Sequence, residues 1–178
     1  MDFIIRIDEN ILLWIQEYVR KDFLNPLVKL ITCLGDAGWF WILITVILLF
    51  SKKYRKIGLT SAAALLIGFL ITNLLLKNMV MRIRPYEVVE GLSFIGKKPS
   101  DFSFPSGHST CSMASSVVLF LYLPKKYGSA ALVLGIFICL SRLYVGVHYP
   151  TDVLAGMAVG ILAAFIAAKI IMKQKYLF

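Results

Sequence analysis

The two histidines of this sequence lie among cations in a pattern suited to phosphoryl transfer without a metal ion. Three short segments carry these residues: KNMVMRIRP at 77–85, PSGH at 105–108 and SRLYVGVHYPTD at 141–152. Cations can hold a phosphate while one histidine attacks the phosphorus and the other protonates the departing oxygen. Each segment borders a long apolar run, so the sequence predicts a phosphate-handling site where membrane helices meet water.

The PSGH segment has the features of an anion-binding helix start. Ser106 precedes an apolar run and is a natural N-cap, and free backbone N–H groups at a helix start attract anions. Gly107 would let the backbone approach a ligand closely, and His108 would lie beside the phosphate as proton donor. A lone histidine could be a structural polar group, but the other two segments favour the catalytic interpretation.

The last segment supplies a histidine with a carboxylate four residues later. His148 and Asp152 come within reach if a helical turn is kept between them, or if Pro150 starts a new helix near Asp152. In either geometry the carboxylate can fix the imidazole tautomer and leave the other nitrogen free to attack. Arg142 ends an apolar run, where an unpartnered charge is costly, so we expect it to be functional.

The first segment adds two further cations at a membrane boundary. Lys77 ends the charge-free run 57–76, and Arg84 follows seven residues later. With Arg142 they could neutralise the phosphate oxygens, the arginines through forked contacts that lysine cannot make. We interpret Arg82 as a rim or secondary residue.

The hydropathy of the chain predicts a membrane protein. Hydrophobic residues make up 59% of it and the mean hydropathy is +0.80, far from an average soluble domain. We predict an all-α, polytopic helical membrane protein in one domain, 1–178, with five to six membrane helices and an N-terminal amphipathic helix. The five firm spans are 36–50, 57–76, 107–123, 128–146 and 153–172.

The first 34 residues form a separate region of the prediction. Apolar residues recur there at near-helical spacing, interrupted by Asp8 and Glu9. This pattern favours a helix lying on the membrane surface, while 26–34 could be a short or re-entrant element. We therefore expect interfacial or re-entrant helices in 1–34 and a transmembrane core in 36–172. The two acidic residues also argue against a cleavable signal peptide.

The net charge of +9 reflects topology rather than a nucleic-acid partner. Basic residues cluster at 52–56, 125–126 and 173–175, which five spans place on one face. The positive-inside rule makes that face cytoplasmic, so the three segments would open at the outer face of the plasma membrane. Three widely spaced cysteines suggest neither a disulfide framework nor a structural zinc.

Two features leave alternatives open. The long connection 80–105 carries charges that could contact a head group or form a solvated rim: Glu87, Glu90, Lys97, Lys98 and Asp101. The sequence GMAVG at 156–160 could serve close helix packing within one molecule or between copies, so the oligomeric state is undecided.

Together the three segments resemble the signature of the type-2 phosphatidic acid phosphatase superfamily, which includes bacterial membrane lipid phosphatases and vanadium-dependent haloperoxidases. The resemblance covers about residues 20–172, although a clear first span of some relatives is missing. It implies five phosphate-binding residues: Lys77, Arg84, Ser106, Gly107 and Arg142. It implies three catalytic residues: His148 as nucleophile, His108 as general acid and Asp152 as orienting partner. Since the segments supply cations instead of clustered carboxylates, we expect no metal or other cofactor.

These features lead us to expect a membrane lipid phosphatase that acts through a phosphohistidine. Undecaprenyl pyrophosphate is the favoured substrate, with phosphatidylglycerol phosphate, phosphatidic acid and lipid A 1-phosphate as alternatives. A non-enzymatic anion-binding membrane protein is a remote alternative, because it would not need the pairing of His148 with Asp152. A haloperoxidase is disfavoured by the embedded spans.

Overall fold

The computed structural model describes residues 2–173, and within them the chain is helical without a strand. Nine α-helices are formed: α1 Asp2–Trp14, α2 Asn25–Cys33, α3 Trp39–Phe50, α4 Arg55–Phe69, α5 Lys77–Val80, α6 Pro85–Val88, α7 Gly107–Tyr122, α8 Lys125–Tyr144 and α9 Pro150–Ile171. Two π-helical stretches, Ile15–Val19 and Leu70–Leu76, extend α1 and α4. The all-α prediction is confirmed for the described residues.

Helix α7 lies at the centre of the bundle and packs against α4, α8 and α9. Its buried side chains are mostly small, which allows neighbouring helices to approach closely. Several buried hydroxyl groups are paired across the helix interfaces, since Ser112 accepts from Trp41 at 3.0 Å and Ser115 lies 2.9 Å from Ser61. A polar core, in which most buried hydroxyl groups are paired and Oγ of Ser116 is not, therefore holds the helices that carry the three segments.

The two glycines of GMAVG bring α9 against α7. A Cβ atom on Gly160 would lie 2.5 Å from the carbonyl oxygen of Thr110, and one on Gly156 would lie 2.5 Å from that of Ser106. Only a residue without a side chain permits this approach. The glycine pair thus serves packing within one molecule.

The helices lie where the five spans were predicted, but their lengths differ. Three stretches are long and apolar enough to cross a membrane: Arg55–Val88, Lys125–Tyr144 and Pro150–Ile171. A fourth is possible if Asp22–Cys33 and Asp36–Phe50, bent by 43°, form one broken span. Helix α7 has 16 residues. The chain is thus a helical membrane protein, and the number of five to six spans stays a prediction.

The predicted N-terminal helix is present as α1. Ile4, Ile7 and Ile11 are exposed, as expected for a helix whose apolar face contacts lipid. The adjacent face buries Leu12 and, unexpectedly for a charged residue, Asp8. Helix α1 therefore directs a carboxylate into the protein.

Candidate active site

A single cavity of about 520 Å³ brings together six of the eight predicted site residues. They are Lys77, Arg84, Gly107, His108, Arg142 and His148. The other two, Ser106 and Asp152, are fully buried and do not line the cavity. Residues from three distant segments thus converge on one side of the bundle.

His148 lies in the short loop between α8 and α9 and is 2% exposed. Its Nδ1 is 3.5 Å from the carboxylate of Asp152, and its Nε2 is 3.3 Å from Nη1 of Arg84. Burial lowers the pKa of the imidazole to about 3, against the opposing effect of the Asp152 hydrogen bond. His148 is therefore neutral at ordinary pH, with Nε2 facing the cations, as a nucleophile requires.

Asp152 is held rigidly at the start of α9. Pro150 is the first residue of the helix, which confirms the predicted helix start, and Asp152 Oδ2 accepts from the backbone N–H of Tyr149 at 3.0 Å. Ser103 donates to the same oxygen at 2.5 Å. Sequence reasoning missed Ser103, because its position two residues before Pro105 carries no chemical signal by itself.

Arg84 and Lys77 share a carboxylate from the long connection. Arg84 donates through Nη2 to Asp101 at 2.6 Å and through Nη1 to the carbonyl oxygen of Val147 at 2.8 Å, and Lys77 forms an ion pair with Asp101. Partial burial alone would raise the pKa of Asp101, but the hydrogen bonds and charges of Lys77 and Arg84 lower it to about 2. Asp101 is 52% exposed and therefore lies at the solvent-exposed edge of the site, but its carboxylate is paired with both cations. Its carboxylate thus pairs with Lys77 and Arg84, two of the cations that were predicted to bind phosphate.

Arg142 lies in the last turn of α8 and is buried. Its Nη1 donates to the hydroxyl of Thr32 at 2.5 Å, whereas its buried Nε has no hydrogen-bond partner among residues 2–173. An unpaired buried donor is costly, and an anion in the cavity would remove that cost. The position agrees with the predicted role in phosphate binding.

The start of α7 matches the predicted N-cap. Ser106 accepts from the backbone N–H of Ser109 at 3.4 Å and donates its own N–H to the carbonyl oxygen of Asp152 at 3.0 Å. Both groups of Ser106 are thus engaged within the protein, and its direct contact with phosphate stays a prediction. Gly107 does line the cavity, and a Cβ there would lie 3.9 Å from Nζ of Lys77.

His108 also has a carboxylate partner. Its Nε2 lies 2.9 Å from Oδ1 of Asp36, a residue in the turn before α3. Sequence reasoning missed this partner. The available signal was a carboxylate placed between two apolar runs, where a charge needs a compensating group.

Of the two interpretations of Arg82, rim residue or secondary residue, the contacts of its side chain favour the second. Its Nη1 donates to Oδ1 of Asp152 at 2.7 Å, and its Nη2 donates to Asp8 at 2.8 Å. The guanidinium also lies 3.7 Å from the centre of the Tyr149 ring. Proximity to Arg84 in sequence was a weak signal, because the partners of Arg82 are Asp8 and Asp152, which lie 74 and 70 positions away.

The described residues hold no cluster of three or more His, Cys, Asp or Glu side chains suited to a metal ion. The cysteines Cys33, Cys111 and Cys139 are free thiols. The expectation that catalysis needs no metal stays a prediction, which rests on the cations of the cavity.

Comparisons with known proteins give consistent matches. The model of the PAP2 superfamily matches residues 57–176, a range that contains all three segments. An undecaprenyl-diphosphatase of Sulfolobus acidocaldarius is 33% identical over 147 residues, which cover 83% of this chain and 70% of the relative. A lipid A 1-phosphatase of Rhizobium etli is 33% identical, with 79% and 68% covered. The crystal structure of a transmembrane PAP2 type phosphatidylglycerolphosphate phosphatase from Bacillus subtilis aligns with a TM-score of 0.79 at 27% identity, covering 100% of this chain and 90% of that one.

Proposed function

Because this chain belongs to the PAP2 superfamily, we propose that it removes the terminal phosphate of undecaprenyl pyrophosphate at the outer face of the plasma membrane. Family membership and phosphatase-named relatives make it a hydrolase of lipid phosphates. The proposal adds the particular lipid, the covalent intermediate and the membrane face.

The observation that carries the proposal is the continuity of the cavity. Its charged end contains the histidines and cations, and its apolar end is lined by Ile42, Leu65, Leu66 and Phe69. Leu66 and Phe69 are also 59% and 50% exposed, so the apolar end of the cavity lies at the surface of the helix bundle. A phosphate attached to a long apolar chain fits a site with these two ends.

In the first chemical step, Nε2 of His148 attacks the terminal phosphorus. A bond from nitrogen to phosphorus forms, the bond from phosphorus to the bridging oxygen breaks, and His108 gives its proton to that oxygen. Arg84 and Arg142 balance the charge of the transferring group, while Asp152 stabilises the imidazolium as it forms. Before attack, the phosphate must replace Asp101 on Lys77 and Arg84.

In the second step, water attacks the phosphohistidine. His108, now neutral, accepts a proton from that water, and the bond from nitrogen to phosphorus breaks to release inorganic phosphate. Asp36 can hold the imidazolium formed on His108 until the next cycle, because its carboxylate is 2.9 Å away.

The leaving group favours a diphosphate over a phosphomonoester. When a diphosphate is cleaved, the departing oxygen belongs to a second phosphate, which needs less protonation than an alkoxide. The undecaprenyl-diphosphatase names of the Sulfolobus relative and of a Bacillus subtilis relative 31% identical to this chain point to the same substrate. Relatives named as lipid A and phosphatidylglycerol phosphate phosphatases keep the alternatives open.

The proposal is tested by measuring kcat/KM for four lipids in one detergent: undecaprenyl pyrophosphate, phosphatidylglycerol phosphate, phosphatidic acid and lipid A 1-phosphate. We expect undecaprenyl pyrophosphate to be preferred at least tenfold, roughly 1.4 kcal/mol in transition-state stabilisation. A tenfold preference for another lipid would replace the substrate and keep the lipid phosphatase. Equal or faster hydrolysis of soluble phosphate esters would reject the lipid requirement itself.

A further inference from the structure

A row of alternating charges, buried at both ends, connects the N-terminal helix to the catalytic carboxylate. Asp8 of α1 and Asp152 of α9 are 1% and 0% exposed, and Arg82 lies between them with one N–H group on each. Thr151 completes the link, since its backbone N–H donates to Asp8 at 3.1 Å and its hydroxyl accepts from Arg82 at 2.7 Å. Helix α1, helix α9 and the segment that carries Arg82 thus meet at Asp152, the carboxylate that contacts His148.

The contacts of Asp152 divide between its two oxygens. Oδ2 faces His148 and accepts from Ser103 and Tyr149, whereas Oδ1 accepts from Arg82. A carboxylate can rotate about its last bond, and Arg82, by holding Oδ1, adds to the two hydrogen bonds on Oδ2 that limit this rotation. The orientation of the carboxylate that contacts the imidazole is therefore set in part by a residue that does not line the phosphate-binding cavity.

The charges explain why Asp8 is needed beside Arg82. If the guanidinium of Arg82 were paired with Asp152 alone, its positive charge would disfavour the positive charge that His148 acquires when it attacks phosphorus. Asp8 neutralises Arg82, so the row Asp8, Arg82 and Asp152 keeps a net negative charge behind the imidazole. The burial of a charged residue on a surface helix is thereby accounted for.

We propose that Asp8 and Arg82 are positioning residues of the active site, so that α1, the helix with the lipid-facing isoleucines, completes the catalytic machinery. Arg82 restricts the orientation of the Asp152 carboxylate. Asp8 positions the guanidinium of Arg82 and balances its positive charge. The inference rests on the proposed role of His148 as the nucleophile.

The proposal predicts that Arg82→Gln and Asp8→Asn shift the acidic limb of the kcat–pH profile in opposite directions. On this limb His148 loses its proton. The other charged groups facing His148 are Asp152 from α9, Arg142 from α8 and Arg84, and none of them is changed. Arg82→Gln removes a cation and leaves two carboxylates uncompensated, which favours the imidazolium and moves the limb to higher pH. Asp8→Asn removes an anion and moves the limb to lower pH.

The rates should change in kcat rather than KM. We expect kcat to fall about 10- to 100-fold in Arg82→Gln and about 3- to 10-fold in Asp8→Asn, with KM within about twofold. Arg82→Lys keeps the positive charge but loses the forked guanidinium that donates to both carboxylates. We therefore expect kcat to fall while the acidic limb of the kcat–pH profile stays at the same pH. The controls are Arg6→Gln and Glu17→Gln, which make the same charge changes at exposed positions of the N-terminal helix.

The full-length wild type, single variants and the Asp8→Asn/Arg82→Gln double variant are assayed on undecaprenyl pyrophosphate, with active enzyme counted from the burst of phosphohistidine. If the two residues act as a unit, Asp8→Asn should have little further effect in the Arg82→Gln background. Additive losses, or a pH limb unmoved in both variants after correction for active enzyme, would overturn the inference. A wild type that forms no phosphohistidine would reject the proposed mechanism instead, which separates the two failures.

Discussion

At the scale of single residues, each histidine predicted to be catalytic is paired with a carboxylate, but the two pairs arise differently. His148 and Asp152 are neighbours on the turn that begins α9, so the pair forms whenever that helix starts at Pro150. His108 and Asp36 are 72 residues apart and meet only when the turn before α3 packs on α7. The proposed nucleophile is thus oriented locally, whereas the orientation of the proposed acid depends on the packing of the bundle.

Removal of the nucleophile should have a larger effect than removal of its partner. We expect His148→Ala to abolish turnover and Asp152→Asn to lower kcat by about 10²- to 10⁴-fold, because an orienting group matters less than the attacking atom. Rapid quenching should trap acid-labile phosphate in the wild type and none in His148→Ala. Asp22→Asn, at an exposed position, is the control, and full activity in His148→Ala would contradict the mechanism.

The carboxylate of Asp101 should compete with phosphate for Lys77 and Arg84. We expect Asp101→Asn to lower the inhibition constant of inorganic phosphate about 3- to 10-fold, because the internal anion is removed. The pKa of about 2 keeps Asp101 ionised above that pH, so the effect should persist across the mildly acidic and neutral range.

The matched control is Glu87→Gln, which removes a charge from the same connection where the carboxylate pairs with the exposed Lys98. Unchanged or weaker phosphate inhibition in Asp101→Asn would show that the carboxylate organises the two cations rather than competing for them.

At the scale of helices, the distance between α7 and α9 decides whether the histidine segments face one another. Gly156 lies against the carbonyl oxygen of Ser106, at the beginning of the PSGH segment, and is one helical turn beyond Asp152. A side chain at this position would therefore separate the helix starts that carry His108 and Asp152. The small residues of α9 are part of the site geometry.

Gly156→Ala should destabilise the protein although alanine favours a helix over glycine by about 1 kcal/mol. The new Cβ would meet a backbone oxygen at 2.5 Å, which cannot move without shifting a helix, so we expect a net loss of about 1–3 kcal/mol and a lower kcat. Thermal unfolding and phosphate release in one detergent measure both effects. The control is Ala158→Leu, on the exposed side of α9, which should change neither the stability nor kcat. A Gly156→Ala variant with wild-type stability and kcat would contradict the packing argument.

At the scale of the whole molecule, the site and the basic loops lie at opposite ends of the bundle. Helices α7 and α9 begin at the site and α8 ends there, so the α3–α4 and α7–α8 connections lie at the far end. Lys56, at the start of α4, contacts the carbonyl oxygen of Met172 beyond the end of α9, as this arrangement requires. The positive-inside rule then predicts an outward-facing site.

Thiol labelling in intact cells tests this orientation. In a background without the three native cysteines, Lys53→Cys and Lys126→Cys should resist an impermeant reagent, while Lys97→Cys in the long connection should react. Permeabilised cells, in which all three should be labelled, provide the control. The reverse pattern would place the chemistry in the cytoplasm.

The sequence by itself determined the features that depend on neighbouring residues. Apolar runs located the helices, Ser106 and Pro150 marked the starts of α7 and α9, and the four-residue spacing paired His148 with Asp152. These features could be predicted because capping and spacing act within one or two helical turns.

Only the tertiary structure decided which distant charges meet. Asp36 on His108, Asp101 on Lys77, and Arg82 between Asp8 and Asp152 join residues separated by 72, 24, 74 and 70 positions. The sequence alone does not distinguish a charged residue that is solvent-exposed in the folded protein from one that is buried. Their partners are selected by the packing of α7 against α9 and of the N-terminal helix against the site, because buried charges are stable only where that packing supplies an opposite charge.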